Sequence, residues 1–156
     1  MRGAQRVEGF TLIELIIVLV IAAALMAVTP PLVRQALPGV ELKSATRHVA
    51  SALRYARSRA ATGGEEAVVT FDLEGRTIQT EGRPRAYALP ESLKLVLLTA
   101  DSETEGEQLG RVRFYPDGSS TGGRVTLSLE RNPEYRFAVD VDWLTGRVRV
   151  LDDPDA

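Results

Sequence analysis

Apolar residues run almost without a break from Phe10 to Thr29 and then thin into regularly spaced positions along the rest of the chain. As a helix this first run is about 30 Å long, the thickness of a bilayer's hydrocarbon core. Its one charged residue is Glu14. Pro30 and Pro31 follow; proline lacks the amide donor and clashes with the preceding turn, so the pair ends or kinks the span. Pro38-Gly39 is a second break, with an apolar Leu32–Leu37 between them. Residues 30–39 therefore read either as a kinked continuation of one long helix or as a plain linker. From Val40 to Ala61 the residues Leu42, Ala45, Val49, Leu53 (with Ala52), Ala56 and Ala60 recur at spacings of three and four. That predicts a helix with a thin, alanine-rich stripe suited to close packing on a sheet. Gly63-Gly64 is the expected stop, and Arg57 and Arg59 are placed to suit the dipole of the last turns. His48 falls off the stripe and reads as a solvated residue.

From Glu66 the period changes to two. Val68–Phe71 and Thr77–Thr80 read as a hairpin about Glu74-Gly75. Leu93–Thr99, Val112–Tyr115, Val125–Leu129, Tyr135–Val141 and Val148–Leu151 read as further strands. Pro116-Asp117-Gly118, Asn132-Pro133 and Thr145-Gly146 are the expected turns between them, and Asp101–Gln108 is an acidic, solvated loop. One long helix before many short strands predicts an α+β fold, a helix packed on an antiparallel sheet. The expected division is residues 1–9, a leader; 10–29, a membrane-spanning helix; 30–62, its continuation; and 63–156, a sheet domain.

Composition refines this picture at three points. The chain is 44% apolar and 26% charged, an ordinary globular balance, and 156 residues suffice for one domain plus an anchor. The net charge of −2 is too small to predict nucleic-acid or membrane-surface binding. Charge is segregated, however: from Val40 to Thr62 five bases (Lys43, Arg47, Arg54, Arg57, Arg59) face the single acid Glu41, while from Gly63 onward 18 acids outnumber 11 bases. The expectation is a basic helix meeting an acidic domain of the same molecule. With no cysteine and one histidine, disulfides, thiolate chemistry, a histidine metal site and a catalytic triad are all disfavoured. The Gly- and Ser-rich stretch Phe114–Gly123 lacks the lysine of a phosphate loop and lies between strands, so it reads as a hairpin loop. The spacing of Asp101–Glu105 matches no calcium loop. No catalytic residue, metal or cofactor is expected.

Glu14 carries the functional argument. An ionisable side chain in a membrane-length segment marks a functional site by default. A secretory signal peptide, with Ala22-Ala23-Ala24 as its cleavage site, would not hold an acid in its apolar region; a plain anchor gives the acid no purpose. A third reading uses every residue. The leader Met1–Gly9 carries Arg2 and Arg6 and would stay cytoplasmic. Gly9 has no side chain, which opens the Gly9–Phe10 bond to a peptidase. Phe10, Thr11-Leu12-Ile13 and Glu14 follow at fixed offsets ahead of the span. This signal resembles that of the type IV pilin and type II secretion pseudopilin superfamily. The resemblance implies cleavage by a prepilin peptidase between Gly9 and Phe10, N-methylation of Phe10, and a proline at the offset that Pro31 occupies. In such filaments a charge buried among apolar helices must be paired. Glu14 of one subunit would pair with the Phe10 amine of its neighbour and set their register.

The glycine-rich stretch and Val141-Asp142-Trp143-Leu144-Thr145-Gly146-Arg147-Val148-Arg149-Val150 together resemble the C-terminal region of the GspH/FimT family. From the residues alone, Trp143 should pack at the end of the sheet and Arg147 and Arg149 should share one strand face, paired with Asp140 or Asp142. The resemblance implies either of two roles. One is a minor pseudopilin of type II secretion, anchored in the inner membrane with a periplasmic domain, partnered by other pseudopilins and in contact with secreted proteins. The other is a FimT-type minor pilin, whose Gly-Arg-any-Arg motif (Gly146-Arg147-Val148-Arg149) would contact DNA phosphates. The acidic sheet domain and the tail Asp152-Asp153-Pro154-Asp155 oppose the second.

Overall fold

The computed structural model describes residues 11–100, 103–105 and 108–152, with the backbone alone for 27–38 and 105. The expectations for Gly9 and Phe10, and for much of Asp101–Gln108, lie outside the described residues. The chain divides into two compact units, Met1–Leu37 and Pro38–Ala156.

A single helix, α1, spans Leu12–Gly63 and contributes to both units. Its backbone remains helical through Pro30, Pro31 and Pro38. It starts where Thr11 Oγ1 accepts the Glu14 amide at 3.3 Å. Thr-x-x-Glu is the capping-box pattern, which satisfies an orphan donor of the first turn. It stops at Gly64, which takes φ +70° and donates its N–H to the Ala60 carbonyl at 3.1 Å, the left-handed glycine cap. Because the helix runs on to Gly63, no basic residue lies in its last turn; the expected dipole role of Arg57 and Arg59 is not realised.

In the first unit the large apolar side chains from Leu12 to Met26 are exposed all around the helix, 48% at Ile16 and 77% at Met26. Among the described residues no helix is long and apolar enough to cross a membrane. The described side chains of this run cover Thr11–Met26, about 24 Å of helix.

The second unit is built on two antiparallel sheets. The strands are β1 (Ala67–Asp72), β2 (Thr77–Thr80), β3 (Tyr87–Ala88), β4 (Leu93–Leu98), β5 (Thr104–Glu105), β6 (Leu109–Phe114), β7 (Gly123–Leu129), β8 (Asn132–Val141) and β9 (Val148–Leu151). One sheet runs β3-β2-β1-β6-β5 and the other β4-β7-β8-β9. The expected antiparallel sheet domain is thus built of two sheets. The short strands β3 and β5 carry too few residues for a periodicity to show in sequence. Asn132 and Pro133 open β8 instead of forming a turn, and the hairpin turns at Glu130-Arg131. Proline is tolerated there because β9 pairs only with Ala138–Val141, so Pro133 lies on an open edge.

The alanine-rich stripe packs as predicted. Leu42, Ala45, Val49, Ala52, Leu53, Ala56 and Ala60 are all buried, as are Thr46 and Ala50 beside them. Thr46 is accommodated because its hydroxyl donates to the Leu42 carbonyl at 2.8 Å. Seen from the sheets, alternation places Val69, Phe71, Val112 and Phe114 of one sheet and Val125, Leu127, Val139 and Val141 of the other in the same hydrophobic cluster. Arg76, at φ +52°, joins the sheets by side-chain bonds: it donates to the Pro90 carbonyl at 2.8 Å and to the carbonyl of Leu93 in β4.

Since Leu53 is fully buried where the helix meets the sheets, Leu53→Ala should lower unfolding free energy by about 2–5 kcal/mol. Thermal or denaturant melting of the full chain in detergent, followed by circular dichroism, measures it.

Candidate functional site

Two regions hold the residues singled out in the sequence. At the N-terminal end Glu14 stands in the first turn of α1. The partial positive charge of a helix N-terminus favours a carboxylate there, so the acid has a local stabilising partner besides any neighbouring subunit. The Thr11 cap was legible as Thr-x-x-Glu, but the apolar run hides it. For Pro30 and Pro31 only the backbone is described.

The second region is the end of the β4-β7-β8-β9 sheet. The β8–β9 turn is fastened from several sides. Asp142 Oδ1 accepts both the amide and the hydroxyl of Thr145 at 2.8 Å, which hold its carboxyl below the usual range, aided by the charge of Arg149. The Gly146 amide donates to the Asp142 carbonyl at 2.8 Å and the Asp142 amide to the Arg147 carbonyl at 3.0 Å. The preceding β6–β7 loop is bound to the same turn: the Ser120 amide donates to the Trp143 carbonyl at 2.8 Å, and the Ser120 hydroxyl to the Asp142 carbonyl at 3.0 Å. Glycine is required at two contacts. A Cβ on Gly146 (φ +58°) would lie 2.6 Å from the Gly118 carbonyl oxygen, and one on Gly122 (φ +74°) would lie 3.1 Å from Trp143 Cβ.

Several expectations are corrected here. Trp143 does not pack at the sheet end; it is 67% exposed, because the capped turn and the close approach of Gly122 direct it outward. Arg147 precedes β9 and is not part of its face, although both arginines are exposed. Asp140 is already engaged by Arg124, with contacts of 2.7 and 2.9 Å, so Arg149 lies opposite Asp140 in register without being its ion-pair partner. Glu103 is not solvated: it is buried and pairs with Arg113 at 2.8 Å, which also binds Glu66 at 2.7 Å. Those two carboxylates raise the Arg113 pKa above its ordinary value. Among the described residues no ion pair joins Lys43, Arg47, Arg54, Arg57 or Arg59 to a carboxylate; Arg54 instead points to the Val148 carbonyl at 3.5 Å. His48 is half-buried and stacks on Tyr87 at 3.9 Å. These contacts join residues far apart in sequence, so no local signal announced them.

A family model described as Type II transport protein GspH matches residues 45–145, and one described as Prokaryotic N-terminal methylation motif matches residues 5–29. The chain belongs to the GspH family. It is 29% identical over 145 residues to the type II secretion system protein H of Xanthomonas campestris pv. campestris, covering 93% of this chain and 83% of that protein. Among solved structures, the minor pseudopilin EpsH of the Vibrio cholerae type 2 secretion system superposes with TM-score 0.57 at 16% identity, covering 72% of this chain and 97% of EpsH. The type IV minor pilin FimU of Pseudomonas aeruginosa superposes with TM-score 0.56 at 16% identity, covering 74% and 91%. At such identities the structural likeness is one of fold. The GspH match takes in the stripe of α1 from Ala45, both sheets through the end of β8, and the Trp143 turn as far as Thr145.

Two predictions follow from the geometry. Gly146→Ala should destabilise the domain by about 1–3 kcal/mol, since a left-handed φ is combined with a backbone clash. The same exchange at Gly39, helical with open space around it, should raise stability by up to about 1 kcal/mol; paired denaturation curves compare the two. The pKa of His48 is lowered from 6.5, first by burial and then by Arg83. The unfolded chain therefore binds its proton more readily than the folded one. This contribution is fully present above pH 6.5 and is lost as pH falls through the folded value. Melting temperature should drop on acidification from neutrality, with a shallower slope for His48→Gln.

Proposed function

We propose that this GspH-family chain is a minor pseudopilin of a type II secretion filament: a structural subunit, not an enzyme, that helps start or cap a periplasmic pseudopilus exporting folded proteins. The supporting observation is the conjunction in one chain of a methylation motif at residues 5–29 and a GspH domain at residues 45–145. The exposed apolar surface of α1 from Leu12 to Met26 suits burial first in the inner membrane and then among the helices of neighbouring subunits. In this reading the leader is cytoplasmic, a prepilin peptidase cuts between Gly9 and Phe10, and the second unit is periplasmic. Phe10 is N-methylated, which keeps its charge, and Glu14 of an adjacent subunit pairs with it. Pro30 and Pro31 would be the place for a kink in α1.

The fold likeness to FimU favours a second reading, a FimT-type minor pilin acting in pilus assembly or DNA uptake through Arg147 and Arg149. The excess of acids over bases after Gly63 weighs against nucleic acid.

Deleting the gene should empty the culture medium of folded exoproteins and accumulate them in the periplasm, with recovery on complementation. Gly9→Ala should leave an unprocessed subunit, read by intact mass. Glu14→Ala should be processed yet fail to restore secretion, because the buried amine loses its partner. Normal secretion from the deletion strain would move the protein to a pilus, and normal secretion from the Glu14→Ala strain would remove the pairing mechanism.

A further inference from the structure

We propose that the β8–β9 turn and the flank of α1 beside it form a docking surface for the acidic face of a neighbouring filament subunit, a proposal that rests on the filament reading above. Its apolar centre is Trp143 and Leu144, which are 67% and 63% exposed. Both stand on a turn braced by the Asp142 cap, by the Ser120–Trp143 backbone bond and by Gly122 beneath the indole Cβ. An aromatic side chain held outward on a fixed backbone loses little freedom on binding, and such preorganisation favours association. Tryptophan and arginine are also the residue types that dominate binding energy at protein interfaces.

Four arginines lie on the turn or on the elements that border it. Arg57 approaches Gly146 from the helix side, its Nε 3.2 Å from where a Cβ would stand. Arg54 lies beside it along α1, at the Val148 carbonyl. Arg147 follows the turn directly. Arg149 borders, with Trp143 and the 70%-exposed Leu98, a shallow depression of about 460 Å³ on the outer face of the sheet. Among the described residues no carboxylate pairs with Arg54, Arg57 or Arg147. Asp142, on which Arg149 acts, has its Oδ1 committed to Thr145.

Charge complementarity therefore asks for a partner rich in carboxylates, with an apolar side chain to enter the depression. A filament grows by placing one face of a subunit against a different face of the next, so a basic face on this chain requires an acidic one on its neighbour. Asp140 and Asp142 line the depression itself, so the depression suits the partner's apolar side chain, and Arg54, Arg57 and Arg147 suit its carboxylates.

The test places a photo-reactive phenylalanine analogue at Leu144 of the full-length protein in its native cell, with the cross-linked peptide identified by mass spectrometry. The expected adduct is with a different signal-bearing pilin-like subunit, through a peptide rich in Asp and Glu. Arg57→Glu with Arg147→Glu should lower its yield at least tenfold at unchanged subunit level. If that pair fails to accumulate, the milder Arg57→Gln with Arg147→Gln should lower the yield in the same direction. An adduct indifferent to these exchanges, an adduct with nucleic acid or a second copy of this chain, or no adduct would each overturn the proposal. Loss of secretion on gene deletion combined with normal secretion in the charge-reversed, Trp143→Ala strain would also overturn it while leaving the filament reading standing. Normal secretion on deletion would remove the filament reading itself.

Discussion

The packing of one narrow stripe of α1 against two sheets holds the second unit together. Its members are mostly alanine, with Leu42, Val49 and Leu53 as the larger contacts. Small side chains let the helix backbone approach the sheets closely, so that Phe71 and Phe114 from the sheets fill the remaining space. The aromatics thus come from the strands and the smooth surface from the helix. At one flank of that contact His48 stacks on Tyr87 and Arg83 lies over the Tyr55 ring at 4.6 Å, docking the β2–β3 end onto the helix. At the other flank Arg54 and Arg57 reach toward Val148 and Gly146.

The same helix has a different task in each unit. From Leu12 to Met26 its large apolar side chains stand exposed. Water is the wrong solvent for such a surface; a bilayer or a bundle of like helices is the right one. After Val40 only one side is apolar, and the rest carries the bases and serines of a surface. The polarity of α1 changes from all-round to one-sided within a single secondary-structure element. In the proposed function, that change would let one chain serve as both filament core and folded domain.

Electrostatics in the second unit is used for bracing. Arg113 holds Glu103 and Glu66 together, and Arg124 holds Asp140. In both cases a strand arginine neutralises nearby acids and fixes a loop or a neighbouring strand. What remains is a set of helix and turn arginines that have no carboxylate partner among the described residues, near a turn whose tryptophan the backbone holds outward. The two features share a cause: the turn is so fully bonded through its backbone and through Asp142 that neither the indole nor the guanidinium groups are needed to stabilise it.

The sequence by itself determined whatever depends on neighbours a few residues away. The three-and-four spacing of Leu42, Ala45, Val49 and Leu53 marks the buried helix face, because each turn of a helix repeats at that interval. The alternation in Ala67–Asp72 and Leu109–Phe114 marks strands by the same logic, and Gly64 ends the helix because it alone tolerates the left-handed cap. The motif around Glu14 was legible for a related reason, since an acid in an apolar run violates the local pattern. Only the tertiary structure decided which charges meet and which side chains stay in water. Arg113 and Glu66 are 47 positions apart, and Arg124 could have been taken for a partner of any of several acids. By its chemistry alone Trp143 was expected to pack at the end of the sheet. Its exposure is fixed by Gly122 and Ser120 on a separate loop. Such outcomes depend on which distant backbone segments come within a few ångströms, and no local pattern of residues encodes that distance.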